Sequence, residues 1–575
     1  MCGIGGMLGQ TDDAVLNRMI SLLQHRGPDG NGKFSDENCG LAHTRLAIVD
    51  IIGSPQPLYG PSSVAIVNGE IYNHSSLKRT DYHYNTSGDS ECILALHNLY
   101  AGGDAFSHAK WISKLDGMFA FAIWDSKNQQ LILSRDPMGI KPLVRTFADN
   151  TLLFSSEVKA LRAHESHIPK IDDLAMRARI AWEYPLDSTT LLDGVSQVRP
   201  GSVEVWQLVE GIPKLTSICR YESQNVEPAK NWNDPEGLLQ TFVSSVQDRL
   251  MADVPVGIVL SGGLDSSMVA AVAHEAAEAA DKPVPACWTV AENEENPDWK
   301  AAELVASSLD LKHHQHVLEP ESFHSRLPDL AWHGEDLDVT VLFFQPLFAE
   351  MSKSVTVGLC GQGADELHAG YPRYRDLLSH ANQIQSRLTD LKCDLSSLEG
   401  ERWWSSNHQP EHHCKSLTHF LQFELDHGQL SNFQLRLVDR HSMTHGFEVR
   451  VPFLGSKHRE HSNKLPLDWR LPKTLEEKLA LRKAADLTSL PKEIVRRPKL
   501  PAGRATSPAM IDELMKELQP RALELATKYA DYEKALKKQP EIAIGLGLFE
   551  AMHLLDEGRF KRNGDVTSLL DEVIA

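Results

Sequence analysis

Several common signals are missing from this sequence of 575 residues. No apolar run reaches the roughly 18 residues that a membrane helix needs, so we expect no membrane partner. No basic stripe offsets the formal net charge of -20, which disfavours nucleic acid and anionic lipid as partners. The amino-terminal segment has no basic region ahead of an apolar stretch, which argues against a secretory signal.

Metal-ligand spacings are missing too. The 8 cysteines form no CxxC pair, a pattern typical of reduced thiols, and it predicts a cytoplasmic protein. The 26 histidines include two dense segments, residues 313–316 and 412–414, but no HExxH or paired-ligand spacing accompanies them. We interpret both segments as solvated and polar, which leaves Mg²⁺ as the only metal we expect.

The length predicts two domains, because one hydrophobic core rarely grows this large. Residues 1–210 carry short β-type runs between Gly, Pro, Asn and Asp turns, which predicts an α+β domain rich in antiparallel sheet. Residues 211–235 include a polar, irregular stretch and predict a linker. Residues 236–575 alternate helical segments with isolated strands, an α/β pattern that predicts a doubly wound parallel sheet covered by helices.

The second residue carries a candidate nucleophile. Removal of Met1 would leave Cys2 with a thiol and a free α-amine, and an amine of reference pKa about 7.7 can serve as general base for its own nucleophile. A cysteine at this position is more often an ordinary residue. The segments that follow favour the functional interpretation.

Those segments supply the groups that bind a zwitterionic amino acid. LAHTRLAIVD offers Arg45, whose planar fork suits an α-carboxylate. VNGEIYNH supplies Asn68, the N–H of Gly69 and the carboxylate of Glu70, and SGDSE supplies Asp89. One cation and two anions match an α-amino acid, while the amide and the glycine N–H could stabilise an oxyanion. Each group alone is typical of a turn or a surface charge, but their order behind the thiol is specific.

This array resembles the N-terminal-nucleophile glutamine amidotransferases, a class that contains asparagine synthetase, glucosamine-phosphate synthase and amidophosphoribosyltransferase. The resemblance implies that Cys2 attacks the glutamine amide and that Asn68 and Gly69 form the oxyanion hole. It also implies a glutamine-binding set of Arg45, Leu46, Ala47, Ile48, Val49, Asn68, Gly69, Glu70 and Asp89.

The heptapeptide SGGLDSS, residues 261–267, joins an apolar strand to an Ala-rich helix. Backbone N–H groups and the helix N-terminus would face this turn and suit a pyrophosphate. Asp265 could bind Mg²⁺, and the serines could donate to phosphate oxygens. A bare SGG would be a capped structural turn, but the whole heptapeptide favours a nucleotide site.

A second segment, CGQGADE at residues 360–366, would form the other wall of the same crevice, because the carboxyl ends of parallel strands meet at one edge. Asp365 is a second Mg²⁺ candidate there. Further along, Lys478 and Arg482 lie four residues apart, which predicts that they share one face of a helix.

The heptapeptide resembles the pyrophosphatase-type ATP loop of enzymes that cleave ATP to AMP and pyrophosphate. GFEVRVPFLG and EEKLALRKAAD extend the resemblance, so the chain is similar to glutamine-hydrolysing asparagine synthetases over nearly its whole length. ATP and Mg²⁺ are implied, with Lys478 stabilising charge at the adenylation step and acceptor contacts from Thr340, Gln362 and Arg482. The implied ATP-binding set is Val259, Leu260, Ser261, Gly262, Gly263, Asp265, Ser266, Ser267, Val290, Cys360 and Gly361.

The implied reaction amidates aspartate through β-aspartyl-AMP, with small-molecule partners and a homodimer as related enzymes suggest. Three positions depart from the family pattern: Gln362 replaces an acidic residue, Gly455 replaces an aspartate, and Phe343 stands where some members carry an arginine for aspartate. These changes leave open the same chemistry on another carboxylate. The complete amino-terminal set disfavours a β-lactam-synthetase-like enzyme, and the intact glycine loop disfavours a non-catalytic regulatory protein.

Overall fold

The computed structural model describes residues 2–100, 102–341, 343–473, 476–499 and 508–575, with side chains except at 320–324. Its N-terminal domain contains two six-stranded antiparallel sheets, ordered β10-β8-β9-β1-β3-β2 and β12-β11-β7-β6-β5-β4. The strands are β1 Cys2–Leu8, β2 Gly30–Ser35, β3 Cys39–Arg45, β4 Leu58–Tyr59, β5 Ser63–Ile71, β6 Gly117–Asp125, β7 Gln130–Arg135, β8 Val144–Ala148, β9 Thr151–Ser155, β10 Ser196–Gln197, β11 Ser202–Val209 and β12 Ile212–Arg220.

The two sheets stack face to face, and alternate side chains of each strand point into the core between them. On β5, Val64 and Ile66 join the core between the sheets, while Ala65 and Val67 pack toward the helices beyond the second sheet. All of β5 is buried, so the strand has two apolar faces. The domain is therefore a layered α+β structure, as predicted. Its helices are Asp13–Leu23, His74–Leu77, Glu91–Tyr100, Ala105–Ile112, Val158–Leu161 and Asp173–Trp182.

The stretch expected to be a linker, residues 211–235, begins with regular structure. Strand β12 pairs antiparallel with β11 and forms the edge of the second sheet. The exposed positions of this edge strand mix Ile212 and Ile218 with Lys214 and Thr216, so the sequence lacks the clean alternation that predicts a strand. The position of the domain boundary stays a prediction.

The C-terminal domain is built on a five-stranded parallel sheet of order β15-β14-β13-β16-β17. Its strands are β13 Val256–Val259, β14 Ala286–Ala291, β15 His313–Val317, β16 Val357–Leu359 and β17 Glu448–Arg450. The chain adds β14 and β15 on one side of β13 and then β16 and β17 on the other, which confirms the predicted doubly wound α/β fold.

Helices surround this sheet and make up most of the remaining chain. None of the described helices is long and apolar enough to cross a membrane. The helices are Pro235–Asp248, Leu264–Ala271, Ala273–Ala280, Pro297–Ser308, Pro320–Gly334, Phe344–Met351, Ala364–His368, Leu377–Asp390, Pro410–His413, Leu417–Asp426, Leu435–Met443, Ser456–Asn463, Leu467–Arg470, Leu479–Ala485, Lys492–Val495, Pro508–Lys528, Glu533–Leu536, Pro540–His553 and Val566–Ile574.

Buried polar contacts join the two domains. The carboxylate of Glu335 accepts the backbone N–H groups of Val158 and Lys159 at 2.9 and 2.7 Å. Arg26 lies 2.9 Å from the carboxylate of Asp439, and both side chains are buried. Since a buried charge is costly without its partner, these pairs tie the domains in one arrangement.

Candidate functional site

Cys2 opens β1, where its register partner on β3 is Arg45. The backbone nitrogen of Cys2 donates to Oδ1 of Asn68 at 3.1 Å, which holds the residue against β5. Only 7% of Cys2 is exposed. Burial raises the pKa of the Cys2 thiol, against the opposing effect of the positively charged chain terminus. The thiol therefore needs a base before it can attack.

Asn68 and Gly69, next to each other on β5, lie beside Cys2. Nδ2 of Asn68 is buried and has no hydrogen-bond partner among the described residues. Gly69 has φ +148°, and a Cβ built there would lie 2.0 Å from the carbonyl oxygen of Met118. Only glycine fits that conformation and that space. The strand thus presents one free amide donor beside a residue that cannot carry a side chain.

A cavity beside Cys2 contains most of the predicted glutamine-binding set. Arg45 closes one side, where its two terminal nitrogens donate to the carbonyls of Ile51 and Asp50 at 2.6 and 2.7 Å. Ala47 and Asn68 lie outside the lining, and Ala47 donates its N–H to Asp29 at 2.8 Å. The lining includes Cys2, Arg45, Leu46, Ile48, Val49, Gly69, Glu70 and Asp89.

Two of the acidic residues that line this cavity, Glu70 and Asp89, belong to the predicted set, and both are buried. Asp89 accepts the N–H of Ile71 at 2.7 Å. Burial, reinforced by the negative charges of Asp89 and Glu448, raises the pKa of Glu70 well above its usual value. A bound ammonium group would reverse that shift, so the pair is suited to an α-amine.

Sequence reasoning missed two residues of the C-terminal domain at this cavity. Nη2 of Arg450 lies 3.7 Å from Oε2 of Glu70, and Nε of Arg450 donates to Glu448 at 2.5 Å. Burial opposes ionisation of Glu448, but the adjacent guanidinium lowers its pKa to about 2. The segment GFEVRV was available as a signal. The C-terminal domain therefore places charged groups beside a carboxylate that lines this cavity.

The second candidate site lies where the strand order reverses. The segments SGGLDSS and CGQGADE follow the adjacent strands β13 and β16 at the same sheet edge. Gly262 has φ +70°, and a Cβ there would lie 2.5 Å from the backbone nitrogen of Ala302. A Cβ on Gly361 would lie 2.9 Å from Cβ of Asp265. Glycine is therefore required where this turn meets its neighbours.

Some of the predicted ATP-binding residues line a crevice in this region, and the others lie around it. Ser261, Gly263, Asp265 and Ser266 line a crevice together with Lys478, and Oγ of Ser261 lies 3.0 Å from Oγ of Ser266. The others form the surrounding framework: Val259, Leu260, Gly262, Ser267, Val290, Cys360 and Gly361.

Two lysines join the two candidate Mg²⁺ ligands. Nζ of Lys478 lies 2.6 Å from both carboxylate oxygens of Asp265 and 2.5 Å from Oδ1 of Asp365. Nζ of Lys499 lies 2.7 Å from Oδ2 of Asp365. Although burial acts in the other direction, these cations hold the pKa of Asp365 far below its usual value. Lys499 was missed because an isolated lysine in RRPKLP carries no motif.

The prediction that Lys478 and Arg482 share a helix face is wrong. Lys478 has φ +60° and precedes the helix Leu479–Ala485. Arg482 is buried and donates to Glu477 at 2.6 Å, as well as to backbone carbonyls. The left-handed backbone of Lys478 directs its side chain toward Asp265 and Asp365. The hydrogen bonds of Arg482 hold the preceding loop in place.

The remaining acceptor candidates, Thr340 and Gln362, differ in environment from each other and from the departing positions Phe343 and Gly455. Thr340 donates from N and Oγ1 to Asp338 at 2.7 and 2.9 Å. Phe343 is 7% exposed and packs on Phe344 with ring centroids 4.4 Å apart, so it belongs to the core. Gln362 is half-buried. A Cβ on Gly455 would lie 2.2 Å from Oγ of Ser245, which accounts for the missing side chain.

In comparisons with known proteins, a separate family model matches each of the two domains. Residues 1–212 match the glutamine amidotransferase domain model, and residues 237–540 match the asparagine synthase model. The molecule is thus a glutamine amidotransferase domain followed by a parallel-sheet synthase domain. The chain belongs to the asparagine synthase family.

Named relatives cover much of the chain. Asparagine synthetase [glutamine-hydrolyzing] 1 of Bacillus subtilis is 30% identical over 87% of this chain and 86% of its own. Asparagine synthetase [glutamine-hydrolyzing] 2 of Arabidopsis thaliana is 32% identical over 87% and 78%. Asparagine synthetase B of Escherichia coli is 32% identical over 64% and 65%. These relatives are named as asparagine synthetases that hydrolyse glutamine.

Proposed function

We propose that this protein uses ATP and glutamine to amidate a carboxylate, with aspartate as acceptor and asparagine, glutamate, AMP and pyrophosphate as products. The observation that carries the proposal is the joint presence of a buried thiol beside a free amide donor and a distant crevice where two lysines bridge two aspartates. The first set suits acyl transfer, and the second suits phosphate chemistry.

In the glutaminase reaction, the α-amine exposed by removal of Met1 takes the proton of the Cys2 thiol. The sulfur attacks the amide carbon, and Nδ2 of Asn68 with the N–H of Gly69 stabilises the oxyanion. The proton passes to the departing nitrogen, so ammonia leaves and a thioester remains. Water then hydrolyses the thioester to glutamate. The hydrogen bond from the Cys2 nitrogen to Asn68 supports this assignment because it fixes the base beside the donor.

In the synthetase reaction, the N–H groups of the SGGLDSS turn bind the phosphates, and Lys478 and Lys499 offset their charge. Asp265 and Asp365 fit Mg²⁺, because they offer carboxylate oxygens already held around a shared cation. Mg²⁺ bound there would neutralise charge on the departing pyrophosphate. The acceptor carboxylate attacks the α-phosphorus, and ammonia then displaces AMP from the acyl-adenylate.

A second candidate is the same chemistry on a different carboxylate. Phe343 is packed in the core and offers no charge to an acceptor α-carboxylate, and Gln362 is neutral. Both observations favour an acceptor whose recognition differs from that of aspartate. The two candidates share every step except acceptor binding.

Cys2→Ala tests the glutaminase assignment. We expect the variant to release no glutamate from glutamine and to keep amidation driven by added ammonium. Cys219→Ala is the matched control, because that half-buried cysteine lies on the edge strand β12 away from the cavity. Full glutaminase activity in Cys2→Ala would refute the proposal. A panel of acceptor acids with detection of amide products then separates the two candidates.

A further inference from the structure

A connected group of histidines lies outside both candidate sites. It includes His413, which is 3% exposed, so the interpretation of residues 412–414 as a solvated segment is wrong for this residue. The ring of His413 stacks on Phe423 with centroids 3.8 Å apart, which explains its burial. The group consists of Asp187, His408, His412, His413, His419 and His427.

A hydrogen-bond chain links these rings to Asp187. Nε2 of His408 lies 2.7 Å from Oδ2 of Asp187, and Nδ1 of His408 lies 2.8 Å from Nε2 of His413. A carboxylate only accepts, so Nε2 of His408 donates to Asp187. When Nδ1 of His408 accepts from Nε2 of His413, the lone pair of His413 is on Nδ1. That atom is buried and has no partner among the described residues.

The imidazoles of His412 and His419 lie beside the ring of His413. One ring nitrogen from each of His412, His413 and His419 lies within 4.8 Å of the others. Three imidazole nitrogens at this spacing can converge on one metal ion.

We propose that His412, His413 and His419 form a binding site for a divalent transition metal, with Zn²⁺ as the probe ion. Imidazole nitrogen suits Zn²⁺, and metal-bound histidines commonly donate their other N–H to a second residue. His408 and Asp187 supply that second contact and act as positioning residues. The site is independent of the proposed function and would clamp the helix Pro410–His413 to the helix Leu417–Asp426.

Other histidine–carboxylate groups in the described chain are less suited to a metal. Asp187 also accepts the N–H groups of Trp404 and Ser405 at 2.6 and 3.1 Å, so its oxygens are already used. The group of His25, Glu157 and His333 shares its carboxylate with Arg26 at 2.8 Å. A second cation there would be repelled by the guanidinium.

Calorimetric titration of the chelator-treated full chain with Zn²⁺ tests the proposal. We expect one site, weakened at least tenfold in the double variant His412→Gln/His419→Gln, whose partly exposed positions tolerate the change. His83→Gln/His164→Gln removes two histidines elsewhere and should bind like the unchanged chain. No binding by the unchanged chain, or equal binding by the two double variants, would overturn the site.

A separate variant, His408→Gln, tests the positioning role of His408. His408→Gln should weaken metal binding about tenfold, the lower end of the cost of losing such a contact. The visible absorption of the Co²⁺-loaded chain should keep its form, because the three ligands remain. Unchanged affinity in His408→Gln would remove the positioning role.

Discussion

Asn68 performs two tasks with one amide group. Its oxygen accepts from the nitrogen of Cys2, and its Nδ2 is left without a partner among the described residues. A buried donor without a partner is unfavourable for stability, and the oxyanion of the proposed reaction would supply that partner. In that proposal the residue links placement of the base to stabilisation of charge.

Asn68→Ala should lower the kcat of glutamine hydrolysis by about 100- to 1000-fold, the usual cost of losing one oxyanion donor. Amidation driven by ammonium should stay within about twofold of the unchanged protein, because the adenylation crevice is untouched. Steady-state assays of both reactions provide the comparison. An unchanged kcat for glutamine would show that this amide does not contact the reacting oxygen.

Lys478 is the corresponding residue of the second site, where it contacts Asp265 and Asp365. Lys478→Met should lower ATP-dependent pyrophosphate release by about 100-fold or more, because a fixed cation beside developing charge is lost. Lys483→Met is the matched control, since this lysine is exposed on the helix that follows. Equal losses in the two variants would contradict the assignment.

At the scale of elements, hydrophobic patterning predicts both fold classes because each strand type has a distinct signature. Buried parallel strands such as β13 are continuous apolar runs followed by glycine turns, and β5 is marked by its neighbouring polar turns. Edge strand β12 was not recognised because its exposed positions include Ile212 and Ile218 as well as polar residues, which hides the alternation. The start of the helix Leu479–Ala485 was misplaced because a left-handed lysine leaves no trace in composition.

The SGGLDSS turn gives a prediction with an internal control. Gly262→Ala should destabilise the protein by about 1–3 kcal/mol, because φ is +70° and the new Cβ would lie 2.5 Å from the nitrogen of Ala302. Gly263→Ala should change stability far less, because φ is -75° and the nearest atom would be 3.4 Å away. Denaturant unfolding measures both. Equal destabilisation would contradict this account of the turn.

At the scale of the whole molecule, the sites were partly predictable. Residues that stand in short recognisable motifs were found, including the Cys2 set and the two aspartates. Lys499 was not found because no local pattern marks it, and Arg450 was not found because its motif does not show that tertiary packing brings it to Glu70. Arg450 is the more informative, since it places a charge of one domain beside a carboxylate that lines the cavity of the other.

Arg450→Gln should raise the KM for glutamine and make it more sensitive to acid. The pKa of Glu70 is already raised by burial and by Asp89, and the guanidinium opposes that shift. Without Arg450 the pKa rises further, so the carboxylate that binds the ammonium is lost at a higher pH on acidification. The KM for glutamine measured against pH provides the readout, with ammonium-driven amidation as the folding control. Identical profiles of KM against pH for Arg450→Gln and the unchanged protein would exclude an effect of Arg450 on glutamine binding.

The central claim is that nitrogen freed at the amino-terminal thiol is consumed at the ATP crevice of the same chain. Glutamine labelled with a heavy isotope at its amide nitrogen tests this directly, with aspartate, other carboxylic acids and MgATP supplied together. The account predicts that the label appears in a new amide while AMP and pyrophosphate form in equal amounts. Glutamate production with no labelled amide from any acceptor, or ADP in place of AMP, would contradict it.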